Sequence, residues 1–319
     1  MAMDLDNRIL RRLKLSDLRL FHAVVRWGGM AKAAAHLNVS QPAVSKAIKA
    51  LEQTLGVRLL DRNPQGVEPT IYGRTLLKGG VAVFDELKQS IKQLEFLADP
   101  SAGELRIGCT EAGAAGFVPA VIDRLSRQYP RIVFDVTTAD PATLTARSLP
   151  QRDIELAIGA MPGPVAGADI HSEILFEDHH FVMAGPRNRW LRRRNIALAD
   201  LIDEPWVLPP PDSIMGLNVA EAFRTENLEP PVSRVVTFSI PLCHHLLATG
   251  RFLTMHPVVM AHLGRHLPLR VLDVRFFGIP RPIGIMTLRN RTLSPLAQLF
   301  MACAREMARP LAKAKRPSR

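Results

Sequence analysis

Between Ala31 and Gly56 the chain reads AKAAAHLNVSQPAVSKAIKALEQTLG, two short helical patterns on either side of a tight turn. No other stretch constrains the fold as much, because each half carries its own start and stop signals. Ala31, Ala33, Ala34 and Ala35 give the first helix, about Met30 to Leu37, a surface small enough for a second helix to approach closely. Asn38 tolerates a left-handed turn, so Leu37 to Val39 serves as the connection. Ser40 is then a good N-cap, and Pro42 falls in the first turn, where its missing N–H costs nothing. Val44, Ile48, Leu51 and Leu55 recur at helical spacing and face inward, and Gly56 ends the helix. Gln41, Pro42, Ser45, Lys46 and Lys49 are left on the opposite side. Gln suits paired hydrogen bonds to adenine, Ser bonds base or phosphate, and Lys meets guanine or phosphate. The pattern predicts a helix-turn-helix whose second helix enters the major groove. The alternative is a solvated amphipathic helix, and Lys46 alone would mean only that.

The flanks extend the motif. Upstream, Ser16 is expected to cap a helix whose Leu18, Phe21, Val24 and Val25 form one apolar side, ending near Gly28. Downstream, Leu59 and Leu60 read as a short strand, Asn63 to Gly66 as a turn and Val67 to Thr70 as a return strand. This is a wing, and it places Arg58 and Arg62 for the DNA backbone or minor groove, contacts that fix position and not sequence; for either arginine taken singly, solvation of a loop is an equal reading. Residues 1–75 hold twelve Lys and Arg against six Asp and Glu, a large share of the chain's +11, which predicts salt-sensitive phosphate binding.

The rest of the 319 residues allow two or three compact units. No apolar stretch approaches the length of a bilayer span, and MAMDLDNRILRR carries no export signature. With three widely spaced cysteines, Cys109, Cys243 and Cys303, a reducing cytoplasm is the expected location. Ile71 to Ala98 reads as a long helix in which Leu77, Phe84, Ile91 and Ala98 repeat every seven residues, with Gly80, Leu87 and Leu94 at the other seam position. A coiled coil pairing two chains and a single amphipathic helix both fit that spacing. Asp99 to Gly103 marks a boundary. Beyond it, Glu104–Cys109, Ile132–Thr138 and Leu156–Ala160 read as strands that alternate with helices at Phe117–Gln128 and Ala142–Leu149, and a second such set follows. The alternation predicts a mainly parallel sheet with helices on both faces.

The segment LSDLRLFHAVVRWGGMAKAAAHLNVSQPAVSKAIKALEQTLGVRLLDR resembles the DNA-binding module of the LysR-type transcriptional regulators, and GELRIG and DIELAIG resemble their effector domain. The resemblance implies a winged helix-turn-helix over 13–72, a dimerising linker helix over 73–98, and a two-lobed α/β effector domain like a periplasmic binding protein over 103–309. Lobe I would span about 103–160 and 277–309, and lobe II 161–276, with crossings near Gly159–Ala160 and Phe276–Phe277. It further implies that Gln41, Pro42, Ser45 and Lys46 make the main base and phosphate contacts, with Arg62 at the wing. Homodimers that pair into tetramers on a promoter, a small-molecule effector and a contact with RNA polymerase are implied as well.

Open α/β sheets bind ligands at the carboxyl ends of strands, beside helix N-termini. That nominates Thr110, Glu111 and Ala112, then Thr138 and Asp140, and from the other lobe Ser213, Ile214, Met215 and Ser239. Where carboxylate-binding relatives carry Ser or Thr, Ala112 stands here beside Glu111. A buried glutamate repels an anion unless protonated or paired, pointing to an uncharged, hydroxylated or cationic effector. A solvent-exposed loop glutamate is the competing reading. The histidines His179, His180, His244, His245, His256, His262 and His266 do not supply a third ligand at metal-site spacing. Cys109 reads as a small buried hydrophobe ahead of an oxidant sensor. No nucleophile elbow, phosphate loop or dinucleotide fingerprint is present, so neither an enzyme nor a cofactor is expected. The alternative is a solute-binding protein with an unrelated N-terminal appendage, against which the missing export signature argues.

Overall fold

In a computed structural model of the chain, residues 9, 11–63, 66–161, 169–257, 259–260, 269–275 and 280–313 are described. They form two compact units dividing between Ser90 and Ile91. In the first, α1 (Leu15–Trp27), α2 (Met30–Leu37) and α3 (Gln41–Leu55) precede a hairpin of β1 (Leu60–Asn63) and β2 (Gly66–Pro69). The core gathers Phe21, Val24, Ala33, Val44, Ile48, Leu51 and Leu59, each large side chain contributing about 1.5–3 kcal/mol by leaving water. Ala33 is fully buried, as the small-residue pattern requires. Asn38 ends α2 in the left-handed region at φ 53°, and Gly56 ends α3 at φ 71°. Ser16 does not cap α1. The cap position belongs to Lys14, which makes no side-chain bond, and the Ser16 hydroxyl turns to Asp17.

The long helix α4 (Ile71–Ala98) begins where Thr70 accepts from the Gly73 N–H at 3.0 Å and donates to the Arg58 carbonyl at 2.8 Å. Gly73 is required there, since a Cβ would lie 2.1 Å from the Leu59 carbonyl oxygen.

The second unit holds two five-stranded sheets. The first runs β4 (Arg131–Thr138), β3 (Ala102–Cys109), β5 (Leu156–Ala160), β14 (Arg281–Leu288), β6 (Ile170–Asp178). The second runs β10 (Ser233–Val236), β9 (Trp206–Leu208), β11 (Leu253–Pro257), β7 (His180–Ala184), β12 (Arg270–Val271). A small pair joins β8 (Ile196–Ala197) to β13 (Val274–Arg275). The helices are α5 (Glu111–Ala115), α6 (Phe117–Gln128), α7 (Ile214–Thr225), α8 (Ile240–Ala248) and α9 (Pro295–Lys313).

Each large sheet is mixed: three parallel strands carry an antiparallel pair on one side. Strand β6 pairs with β14 along its length, so the chain stays in the first sheet until Asp178 and passes to the second at His179. The crossing expected near Gly159–Ala160 is corrected accordingly. It was misplaced because IHSEILFED mixes charges with apolar residues and reads as a connection. The expected return at Phe276–Phe277 lies outside the described residues. The predicted helix at Ala142–Leu149 is a helical turn, Pro141–Thr143, running into a π-helical stretch, Leu144–Ser148.

Candidate nucleic-acid interface and effector cleft

One face of α3 is core; the other is free. Val44, Ile48 and Leu51 are buried while Gln41, Pro42, Lys46 and Lys49 are exposed and Ser45 is half-buried. Ser40 caps the helix by accepting from the Ala43 N–H at 3.4 Å, which aims the first turn outward. Lys46, Lys49 and Arg58 pair with no carboxylate among the described residues, so their charge is available to an external anion. The wing is tied to this helix from beneath. Glu52 Oε1 accepts from the Leu59 N–H at 2.8 Å and the Leu60 N–H at 3.3 Å. Sequence reading missed that anchor; an acid one turn before a helix end is the signal that could have shown it. Arg62 sits in β1 opposite Val67, and its side chain lies outside the described residues.

In the second unit the nominated residues converge in part. Strand register places Thr138 beside Cys109, next to Thr110. Ala112 and Ile240 pack into one apolar cluster, which brings the α5 and α8 starts together. Met215 and Ser239 share a small cavity with Thr237, Phe238 and His256. The side chain of Ile214 is outside the described residues.

Four of the nominated polar groups are already engaged as helix caps. Thr110 accepts from the Gly113 N–H at 3.3 Å, and Ser239 from the Leu242 N–H at 3.3 Å. Ser213 accepts from the Gly216 N–H at 3.0 Å while donating to the Pro210 carbonyl at 2.6 Å. Asp140 accepts from both the backbone N–H, at 2.9 Å, and the hydroxyl of Thr143, which holds its carboxyl below the usual range. Glu111 is exposed. The desolvated acid weighed above is therefore absent, and this residue gives no electrostatic argument about effector charge.

The cavity is instead characterised by a histidine that spacing could not nominate. His256 is 6% exposed, and its Nδ1 has no hydrogen-bond partner among the described residues. Its Nε2 stands 3.6 Å from Cys243 Sγ. Burial, reinforced by His244 and His180, depresses its pKa to about 3, so the ring is neutral. Among the described residues no group of three or more His, Cys, Asp or Glu side chains could hold a metal; His262 and His266 lie outside them. Cys109 is buried, and burial with the Glu111 charge pushes its thiol up to about 11, which suppresses the reactive thiolate.

A winged helix-turn-helix followed by a two-lobed α/β domain with a cleft defines a class: the effector-responsive DNA-binding regulator. Two family models cover nearly the whole chain. The bacterial regulatory helix-turn-helix protein model of the lysR family matches residues 15–74, and the LysR substrate binding domain model matches residues 98–309. The chain belongs to the LysR family of DNA-binding transcriptional regulators. It is 31% identical to the HTH-type transcriptional regulator GbpR of Azospirillum brasilense, over 92% of this chain and 86% of that one. The crystal structure of the LysR family regulator CbnR shares the fold with a TM-score of 0.61 at 20% identity, covering 93% of this chain and 99% of that one. CbnR bound to its target DNA matches with a TM-score of 0.53 at 20% identity, over 93% and 100%. No helix among the described residues is long and apolar enough to cross a membrane.

Proposed function

We propose that α3 enters the major groove of promoter DNA, with Gln41, Pro42, Ser45 and Lys46 against base edges and near phosphates. Ser40, Lys49, Arg58 and the wing Arg62 then meet the sugar–phosphate backbone. The observation that carries this is the division of α3 into a fully packed face and an exposed face whose cations lack partners. Phosphate contacts of this kind set register while the few base contacts specify. The family membership, and the likeness to CbnR complexed with its target DNA, support a DNA-binding role for this unit.

The regulator works in the cytoplasm as a homodimer, with dimers pairing on the promoter. Support comes from α4, where Val83, Leu87, Ile91 and Leu94 are exposed large apolar side chains at helical spacing, a seam of the kind a second helix covers. The effector sits between the lobes, against Thr110, Ala112, Thr138, Met215 and Ser239; of these, Met215 and Ser239 line the small cavity together with His256. Among the described residues lining the cavity, none is Lys or Arg. Hydroxyl groups, Met215, Phe238 and a neutral imidazole suit an uncharged effector with hydrogen-bonding groups on an apolar body. Its differential affinity for two lobe arrangements is what shifts promoter binding and the contact with RNA polymerase.

Gel-shift of the full-length protein against fragments of its own genome, at modest salt, tests the DNA reading. Preference for a few fragments, weakened in Lys46→Ala, is expected; equal affinity for every duplex would overturn it. Titration with neutral polyols, amines and small aromatic acids tests the effector. Saturable binding confined to a simple carboxylate contradicts the uncharged class.

A further inference from the structure

Lobe II carries a second concavity, lined by none of the residues discussed so far. The turn between β7 and β8, residues 186–193, borders an open concavity of about 760 Å³. Five of the eight residues from Arg187 to Arg194 are arginine and none is acidic. Arg189 pairs with Glu204, and Arg194 stands 4.0 Å from Asp273. Arg187, Arg192 and Arg193 are exposed and pair with no carboxylate among the described residues. Like charges so close repel one another, and an anion between them relieves that cost.

The cluster is mounted on a fixed backbone. Asn188 is 4% exposed; its Nδ2 donates to the Gly250 carbonyl at 3.1 Å and its Oδ1 accepts from the Trp190 N–H at 2.9 Å. Gly250, at φ +80°, lies so close that a Cβ there would come within 2.9 Å of the Arg187 side chain. The indole of Trp190 is 7% exposed, with the Arg193 guanidinium 5.0 Å and the Arg189 guanidinium 5.6 Å from its ring centroid. The Trp190 Nε1–H is buried without an acceptor among the described residues, whereas a buried indole N–H normally finds one. Packed arginines, a held turn and an orphaned donor coincide at one place.

We infer that this turn is a binding site for a compact polyanion, a small molecule bearing two or more phosphoryl groups. Guanidinium forks match phosphoryl oxygens in paired hydrogen bonds and stay charged at every working pH. The concavity falls within the roughly 300–1,000 Å³ typical of small-ligand sites. Duplex DNA needs cations spread along a strip that follows successive phosphates, and here they are confined to one turn. The turn shares no residue with the α3 surface or with the cavity at Met215, so neither of those roles accounts for it.

The test uses the full-length protein, inorganic tripolyphosphate as probe, and calorimetric titration at fixed salt. We expect one saturable site per chain, bound about tenfold more tightly than orthophosphate. The combined Arg187→Ala, Arg192→Ala and Arg193→Ala variant, which alters exposed side chains only, is expected to weaken binding by about tenfold or more. Its unfolding temperature without ligand stays at that of the parent, while tripolyphosphate raises the parent's value and not the variant's. Lys46→Ala with Lys49→Ala is expected to bind tripolyphosphate as the parent does. Absence of saturable binding at millimolar probe overturns the site. So does binding that falls in the lysine variant and persists in the arginine variant. Weakened affinity of the arginine variant for a random duplex, with tripolyphosphate ignored, would show a nucleic-acid surface in its place.

Discussion

The α3 surface and the effector cleft hold their chemistry in opposite ways. On the outer face of α3, Gln41, Lys46 and Lys49 are exposed, and Lys46 and Lys49 are free of carboxylate partners among the described residues. Around the proposed cleft, Thr110, Asp140, Ser213 and Ser239 are each engaged in capping a helix, and His256 is buried and neutral. A reading surface is thus a property of one helix, available before any ligand arrives. The cleft is a property of several loop ends brought together, and what it offers a ligand depends on which bonds the fold has already used. Substitutions at the exposed positions Gln41, Lys46 and Lys49 of α3 therefore alter affinity and spare stability, while substitutions among the buried polar groups of the second unit alter stability first.

The largest effect is expected at the ion pair between Lys92 and the fully buried Glu155. Glu155 also accepts from the Ser294 N–H at 3.3 Å, and Lys92 donates to the Glu104 carbonyl at 3.1 Å, so the pair ties the last turns of α4 to the start of α9 and to β3. Lys92→Ala leaves a buried carboxylate without its lysine, and a loss of roughly 3–5 kcal/mol is expected in denaturant unfolding. A loss under 1 kcal/mol (about the worth of a surface pair) would show that water reaches Glu155 and that the contrast drawn above is too sharp.

Next in size is the pH dependence set by His256 and His180, which burial holds near 3 and near 4. Both are neutral in the fold and protonate near 6.5 once unfolded. Between those values the unfolded chain binds more protons, so stability rises with pH. It is complete above about pH 6.5 and is lost as pH falls toward 4, by up to about 1.4 kcal/mol per pH unit for each histidine. His256→Gln should flatten that slope in unfolding measured from pH 7 to 5, and an unchanged slope would mean that His256 is solvated.

How much of this was legible in the chain follows the same divide. The approximate spans of α2 and α4 were legible, because alanines, an Asn turn and a long apolar period are local signals. In β11, LTMHP, every residue is buried, and nothing in a single strand tells a core histidine from a surface one. Strand β6 was missed for a related reason: its pattern alternates buried and exposed positions irregularly, and only pairing with β14 makes it a strand. The hydroxyls of Thr110, Ser213 and Ser239 were correctly placed at strand-to-helix junctions, yet a junction serine is as apt for capping as for ligand contact. Which of the two it does is decided by three-dimensional neighbours.

On the reading helix, Gln41→Ala and Lys46→Ala are each expected to cost about 1–3 kcal/mol of affinity for the preferred duplex and to relax base preference at one position. Unfolding should not change, since neither side chain is buried.

The smallest effect is expected at Arg58, which separates positioning from reading within the same head. Arg58 is exposed, and its carbonyl accepts from the Thr70 hydroxyl at 2.8 Å, so the backbone is fixed while the guanidinium is free. Arg58→Ala leaves that backbone bond intact and removes one cation. Affinity should fall by the same factor for preferred and random duplexes, and the slope of log affinity against log salt should decrease in magnitude by about 1. Measured across a salt series beside Lys46→Ala, the two variants should diverge: one shifts all sequences together, the other mainly the preferred one. If Arg58→Ala alters the ranking of sequences, the wing reads shape in the minor groove, and the boundary between positioning and specifying contacts moves from the edge of α3 to the start of β1.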